Sequence, residues 1–535
     1  MDKSVSLFTL TAAVIVAAWW WLGSAVPMPP SPLERGEKLY CISYAPFRGA
    51  QTPLDLATKI EPAQIEQDLA QLAKVTDCVR TYSVDFGLDQ VPEIAQRHGL
   101  KVMLGLWVSS HTDRTQYQVS MGIALANRFP DVVRAVIVGN EALLRGEVSP
   151  AMLGETIRNV KSRVKAPVTY ADVWEFWLRY RELATSVDFV TIHILPYWED
   201  DPVAARNAAD HIDAIRKRVV ENFPSKEVVI GEVGWPSAGR MREGALPSPA
   251  NQARVIADVL LRGKQERFRV NVIEAFDQPW KRALEGTVGG HWGLFDDGTR
   301  WQKFVWGQPV SNHPHWPWQA AGGIVLAGLV FAAAHHARRM AGAVAIGPGA
   351  WGAVALNAAV AGVLAGWTIE NVPIESLDIG GWVRSLAFAA LAIAAPIAGA
   401  AAMVLPVGPP AFASIIGPKS ERVRDSLPLT LGILLIVLAV LAVQSALALS
   451  FNPRYRDFPF APMTAAVLPF VLLSVVAPSA AGARPRAEMV AAALLVLCAV
   501  FIIWNETLAN WQALWFAAAL VLVAFSLLRA RVALG

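Results

Sequence analysis

The chain has 535 residues, 54% hydrophobic and only 17% charged, with a mean hydropathy of +0.37. A wholly soluble protein carries about a quarter charged residues, yet 71 of the charged residues here crowd into the first 320 positions, which a purely membrane-embedded chain could not hold. The net charge is +3, and those first 320 positions carry 35 basic and 36 acidic residues, which excludes the electrostatic footprint of a nucleic-acid-binding protein.

The first element is the apolar run Leu7–Val26, preceded by Lys3 and long enough to cross a hydrocarbon core of about 30 Å. Gly23-Ser24-Ala25 is a weak small-residue cleavage site. Trp19, Trp20 and Trp21 near the outer end suit an interfacial aromatic belt, so residues 1–30 read as an uncleaved anchor whose following segment is exported.

Residues 34–312 alternate short apolar runs with amphipathic helical stretches. Strands are predicted at 39–45, 77–82, 100–106, 133–139, 167–172, 187–194, 227–231 and 270–276. Between them lie helical patterns such as Ile65, Leu69, Leu72 and Val75 after Pro62, and Ile212, Ile215 and Val219 within 207–220. Eight strand–helix units predict an α/β fold, a (β/α)8 TIM barrel. A doubly wound sheet is the alternative, but no Gly-x-Gly-x-x-Gly follows the first strand.

In such barrels the chemistry sits at strand ends. Glu141 and Glu232 end strands four and seven after nearly uncharged runs. Two carboxylates facing across a barrel mouth suit glycosidic-bond chemistry, where one hands a proton to the leaving oxygen and the other attacks the anomeric carbon. The competing reading is that each caps a helix or pairs with a neighbour such as Arg80. The other strand ends supply binding candidates in order: Tyr44; Arg80 and Tyr82; Trp107; Asn140; Asp172 with Trp174 and Trp177; His193 and Tyr197; Trp235; and Phe276, Asp277, Gln278 and Trp280. Sugar rings stack their C–H faces on aromatic rings and need fixed polar groups for their hydroxyls, although large aromatics also fill cores. Trp301 and Trp306 read as core residues spaced along a terminal helix.

Residues 316–535 read as an all-α transmembrane bundle of seven spans, about 317–337, 343–366, 382–404, 428–450, 461–478, 487–504 and 511–528. With the N-terminus inside, Arg338/Arg339, Lys419/Arg422/Arg424, Arg484/Arg486 and Arg529/Arg531 all fall on the cytoplasmic side; only Arg454 and Arg456 oppose that bias. Few ionisable groups lie deep in the spans, so a close-packed anchor bundle is favoured over a substrate channel, with Pro396, Pro469 and the many glycines and alanines as packing residues. No metal site or cofactor is expected. Cys41, Cys78 and Cys498 allow at most one exported disulfide. If Tyr44 and Arg80 both point into the barrel, strand alternation turns Cys78 inward and Cys41 outward, so that bridge is not expected.

The strings Val138-Gly139-Asn140-Glu141, Gly231-Glu232-Val233-Gly234-Trp235-Pro236-Ser237, Ala275-Phe276-Asp277-x-Pro279-Trp280-Lys281 and His291-Trp292-Gly293-Leu294-Phe295 resemble glycoside hydrolase family 17, the β-1,3-glucanases and β-1,3-glucanosyltransferases. The resemblance covers about residues 38–300 and implies a (β/α)8 barrel with a retaining mechanism. It makes Glu141 the acid/base and Glu232 the nucleophile, with Asn140 near the sugar 2-hydroxyl. This chain departs from the family at Gln278, where many members have Glu, and at His193-Ile194-Leu195-Pro196-Tyr197, where plant-type members have Asn-Ile-Tyr-Pro-Tyr. Anchor, barrel and seven spans together are similar to rhizobial membrane β-(1→6)-glucan synthases implicated in making periplasmic cyclic β-1,3/1,6-glucans. The expected function is therefore a membrane-anchored β-glucan transglycosylase of the bacterial inner membrane, with both termini cytoplasmic. Its partners would be a β-1,3-glucan or gluco-oligosaccharide, the lipid bilayer and a separate membrane glucan synthase, with Trp174, Trp177 and Trp198 as an acceptor platform. The alternatives are an endo-β-1,3-glucanase and a non-catalytic glucan-binding or export subunit. A nucleotide-sugar synthase is disfavoured, because the chain has no Gln-x-x-Arg-Trp motif and only short cytoplasmic loops.

Overall fold

A computed structural model describes residues 3–342, 349–418, 422–476 and 485–529. Contacts divide the chain into two units, one of residues 26–238 and 244–310 and the other of residues 1–25, 239–243 and 311–535.

The first unit is a closed barrel of eight parallel strands in sequence order: β1 (Cys41–Ser43), β2 (Cys78–Arg80), β3 (Lys101–Leu106), β4 (Val133–Asn140), β5 (Val168–Val173), β6 (Val190–His193), β7 (Val228–Val233) and β8 (Val270–Val272). β8 pairs with β1 to complete the ring. The strands read as near-continuous Val/Ile/Leu runs because side chains are buried on both sides of the wall. Helices start where proline and a capping serine stand together. Ser149 Oγ accepts from Met152 N ahead of Pro150–Lys161, and Ser248 Oγ accepts from Asn251 N ahead of Pro249–Glu266.

Tyr44 does not point into the barrel. It is fully buried on the helix side, where its hydroxyl donates to Asp68 at 3.0 Å. Ser43 is the inward residue, accepting at 2.8 Å from Asn271. Alternation counted from Ser43 puts Cys41 inside as well, level with Cys78. The two form a disulfide across β1 and β2, against the expectation, with Met103, Ala135, Ile137 and Ala171 packed around it. The bridge spans 37 residues of sequence. Closing a loop of that size restricts the unfolded chain by about 3–4 kcal/mol. Replacing both cysteines by alanine should lower the thermal midpoint by roughly 5–15 °C; an unchanged midpoint under non-reducing conditions would show the bridge to be idle.

The terminal helix expected around Trp301 and Trp306 is absent. Residues 296–310 run as turns and bridges, with Trp301 exposed and Trp306 half-buried against Phe304. The chain has too few consecutive helix formers there, and Asp296 instead closes a turn by accepting from Thr299 N at 2.7 Å.

The second unit is all-helical. Among the described residues seven helices are long and apolar enough to cross a membrane: Ser4–Gly23, Trp316–Met340, Ala350–Glu375, Ile379–Val404, Ser426–Phe451, Arg486–Glu506 and Trp511–Arg529. An eighth, Phe460–Val476, is apolar but shorter, at 17 residues. Residues 343–348 and 477–478 of the expected spans, together with Lys419, Arg484 and Arg531, lie outside the described residues. Small residues let the backbones approach closely. A Cβ on Gly323 would collide with the Gly362 carbonyl, and one on Gly399 would collide with Pro469.

Candidate active site

The barrel gathers its ionisable side chains at the carboxyl ends of β2, β4, β5, β6 and β7. Two irregularities aim them. The β4–β5 register shifts between Ile137 and Asn140, and the β6–β7 register shifts between Ile192 and His193. Such bulges turn a side chain off the strict alternation and recur beside active sites. Gly139 and Glu141 both take positive φ, +91° and +50°. Glycine adopts that conformation freely, but Glu141 is held in it, its backbone N–H donating to Ala171 O at 2.8 Å.

Arg80 is the hub. Its guanidinium donates to Gly231 O at 2.7 Å, to Glu232 Oε1 at 3.0 Å and to the side-chain oxygen of Asn140. Glu232 accepts a second bond on the same oxygen, from Tyr82 at 3.0 Å. The His193 ring stands between the two carboxylates, with Nδ1 2.7 Å from Glu141 Oε1 and Nε2 3.6 Å from Glu232 Oε1. One carboxylate oxygen of each glutamate and a ring nitrogen of His193 all lie within 4.8 Å of one another. That spacing suits direct attack by one carboxylate on a sugar between them, since room for an intervening water needs about 6.5–9.5 Å. The same trio has the ligand types of a metal site. However, Arg80 Nη1 already brings positive charge 3.3 Å from His193 Nε2, where a cation would be repelled.

Burial opposes ionisation of Glu141. The hydrogen bond and charge of His193, helped by Arg80 and Lys281, outweigh it and hold the carboxyl below the usual range. Residues 41–293 match the family described as the BtgE/BtgC glycoside hydrolase domain. The barrel is similar to that glycoside hydrolase domain.

Among its relatives, the probable β-glucosidase btgE of Aspergillus flavus is 32% identical over 227 residues, covering 41% of this chain and 36% of its own length. The glucan 1,3-β-glucosidase of Saccharomyces cerevisiae is 25% identical over 252 residues, 43% of this chain and 80% of its own. A crystal structure of the family 17 β-1,3-glucanosyltransferase of Rhizomucor miehei aligns with a TM-score of 0.44 at 28% identity, over 50% of this chain and 95% of that one. The chain spans little more than a third of the length of the btgE relatives it matches.

Within the barrel the remaining candidates divide. Trp107 is half-buried beneath the Arg145 guanidinium at 4.1 Å, and Trp174 is half-buried with its Nε1 3.3 Å from Glu199. Trp280 is half-buried against Phe47. Tyr44, Trp177, Tyr197, Trp235, Phe276 and Gln278 offer a ligand no surface. Trp177 and Trp235 bond to backbone oxygens, Thr191 O at 2.8 Å and Leu246 O at 3.0 Å. Tyr197 packs edge-on to Trp198 and Trp292. Asp277 is held by Lys303 at 2.6 Å and by Gly293 N at 2.9 Å. These positions build the mouth rather than contact what enters it, because large rings at strand ends close the gap between wall and helices. Gln278 has a reason to be an amide: its Nε2 donates to both Ala45 O and Phe276 O, which a carboxylate could not do.

Two groups at the end of the eighth strand were given no role by the sequence. Glu274 is buried, bonded to Lys281 at 2.5 Å, and burial raises its pKa to about 7. Lys281 in turn acts on Tyr82 and Glu141. The signals were available: Lys281 ends the Pro-Trp-Lys string, and Glu274 is a charge within the predicted strand 270–276, just past the observed end of β8.

Asp172 is fully buried, accepting from the Tyr170 hydroxyl and from Val173 N at 2.8 Å. Burial raises its pKa to about 6 from 3.8. Its ionisation is harder in the folded barrel than in the unfolded chain, so its stabilising contribution is complete below about pH 4 and disappears as the pH climbs through about 6, a change of about 3 kcal/mol. Unfolding of wild type and Asp172→Asn from pH 4 to 8 should show wild type losing stability relative to the variant across that window. A pH-independent difference would contradict this.

Proposed function

We propose that the chain is a membrane-anchored retaining β-glucan transglycosylase, acting on β-1,3-glucan and forming β-1,6 linkages or branches. The observation that carries the retaining mechanism is the close approach of the Glu141 and Glu232 oxygens around His193, and the apolar helices beside the barrel sequence favour remodelling of a membrane-delivered glucan over scavenging of free polymer. Glu232, oriented by Arg80 and Tyr82, attacks the anomeric carbon of a glucosyl unit. The glycosidic oxygen leaves with a proton from the Glu141–His193 pair, whose 2.7 Å bond lets one proton serve both groups. The Asn140 side-chain oxygen is fixed by Arg80, which leaves its amide N–H to meet the sugar 2-hydroxyl. The Glu141 carboxylate then removes the proton from an incoming hydroxyl, and attack on the glucosyl–Glu232 ester releases the product with the original configuration.

Relatives named as a putative glucan endo-1,3-β-glucosidase (Aspergillus niger btgC) and a β-1,3-glucanosyltransferase studied with laminaritriose support the substrate class. The disulfide supports an oxidising compartment. The run of Arg338, Arg339, Arg422, Arg424, Arg486 and Arg529 at one set of helix ends supports a cytoplasmic face there, with the barrel in the periplasm and the chain in a bacterial inner membrane. Such an enzyme would remodel glucan from a separate membrane synthase. Incubating the full chain with laminari-oligosaccharides should give longer or β-1,6-linked products. Shorter oligosaccharides and glucose alone would identify a hydrolase instead.

A further inference from the structure

The loop between β7 and the helix Pro249–Glu266 divides between the two units. Its roots lie in the barrel. Ser237 N donates to His291 O at 2.8 Å, Ser248 N to Pro236 O at 3.2 Å and the Trp235 indole to Leu246 O at 3.0 Å. Lys303 Nζ donates to Ser237 Oγ at 2.8 Å and also holds Asp277, tying this loop to the one after β8. The tip, residues 239–243, belongs to the helical unit. Arg240 is 2% exposed there, its guanidinium donating to Glu506, to Pro453 O and to Arg456 O, with the Phe458 ring 4.6 Å away. Met241 N donates to Gln512 Oε1 at 2.8 Å, and Met241 O accepts from Asn510 at 2.9 Å. Asn510 donates to Glu506 as well, at 2.7 Å, so one fully buried amide ties the tip to the counter-ion of Arg240.

A buried ion pair adds little net stability over apolar packing, but it fixes one arrangement, because moving either partner strands a buried charge. The tip is also strained. Gly239 and Glu243 bracket it at φ +112° and +44°, and a glutamate stays in the left-handed region only where its surroundings hold it there. Pro453, Arg456, Glu506, Asn510 and Gln512 supply what five loop residues cannot supply for themselves. Loops that follow barrel strands form the rim of the mouth, and this one leaves the strand that carries Glu232. We propose that Arg240 is a positioning residue for the glucan reaction: seated against Glu506, it fixes the loop after β7 in the form that receives the outer sugar units of the substrate. The helical unit is then part of the catalytic apparatus as well as an anchor. The inference rests on the β-glucan reading above and extends it.

The test compares two substrates on the full chain in detergent. Laminaripentaose is long enough to reach the rim, whereas an aryl β-laminaribioside with a good leaving group occupies only the point of cleavage and its nearest sugar. Rates are expressed per active site, counted from the burst of aryl release. Arg240→Met should lower kcat/KM on laminaripentaose at least about 10-fold more than on the aryl substrate, mostly through KM. Arg240→Lys keeps the charge but not the planar fork, and should recover part of that loss. Gln512→Leu removes one neutral contact and leaves the ion pair in place. It should move the same ratio in the same direction by about 2–5-fold, and it decides the question if Arg240→Met does not fold. Equal losses on both substrates would overturn the proposal and leave Arg240 a purely structural residue. Unchanged kinetics on both would overturn it too, showing that the tip does not act on the mouth. Wild type inert towards both substrates would overturn the β-glucan reading, and this inference with it.

Discussion

Replacing Glu232 by glutamine is expected to lower kcat on β-glucan by roughly 10⁴–10⁶-fold. The change removes the only attacking atom the proposal provides while keeping side-chain volume and an oxygen that can still accept from Arg80 and Tyr82. The fold should therefore survive, with a thermal midpoint within a few degrees of wild type. A steady-state assay on laminari-oligosaccharides beside a thermal melt separates the two effects. Near-normal turnover in the variant would show that Glu232 is not the attacking group.

Arg80→Met should have the second-largest effect and a different signature. The side chain is 1% exposed and links Asn140, Gly231, Glu232 and His193, which come from three other strands. Removing the cation leaves the buried Glu232 without its nearest opposite charge, a loss worth about 3–5 kcal/mol where one partner of a buried pair is deleted. Both stability and kcat/KM are expected to fall, the latter by roughly 10²–10³-fold, because Asn140 and Glu232 lose their common support. Arg80→Lys keeps the charge but not the planar fork, and should recover stability more than rate. Equal recovery of both by lysine would show that charge alone matters at this position.

The strands were legible because a parallel barrel wall is buried on both faces and so reads as unbroken apolar runs. The two glutamates were legible because charge at the end of such a run has little structural excuse. The direction in which side chains point was harder to read. β1 is three residues long, and Tyr44 lies just past it, turned to Asp68 of the first barrel helix. Counting parity from Tyr44 rather than Ser43 inverted the expectation for Cys41. Trp177 and Trp235 misled in another way: an aromatic at a strand end fits a sugar platform or a seal between wall and helices equally well in sequence. Only their indole N–H bonds to Thr191 O and Leu246 O show the seal. Pairing of Glu274 with Lys281 depends on a turn after β8 that no periodicity announces.

The most direct test of the central claim is to trap the glucosyl-enzyme. A Glu141→Ala chain offered an aryl β-laminaribioside with a good leaving group needs no acid to form the ester and lacks the base to resolve it. Peptide mass spectrometry after acid quench should then find the added glycosyl mass on the peptide containing Glu232. No adduct, or an adduct on another residue, would contradict the account.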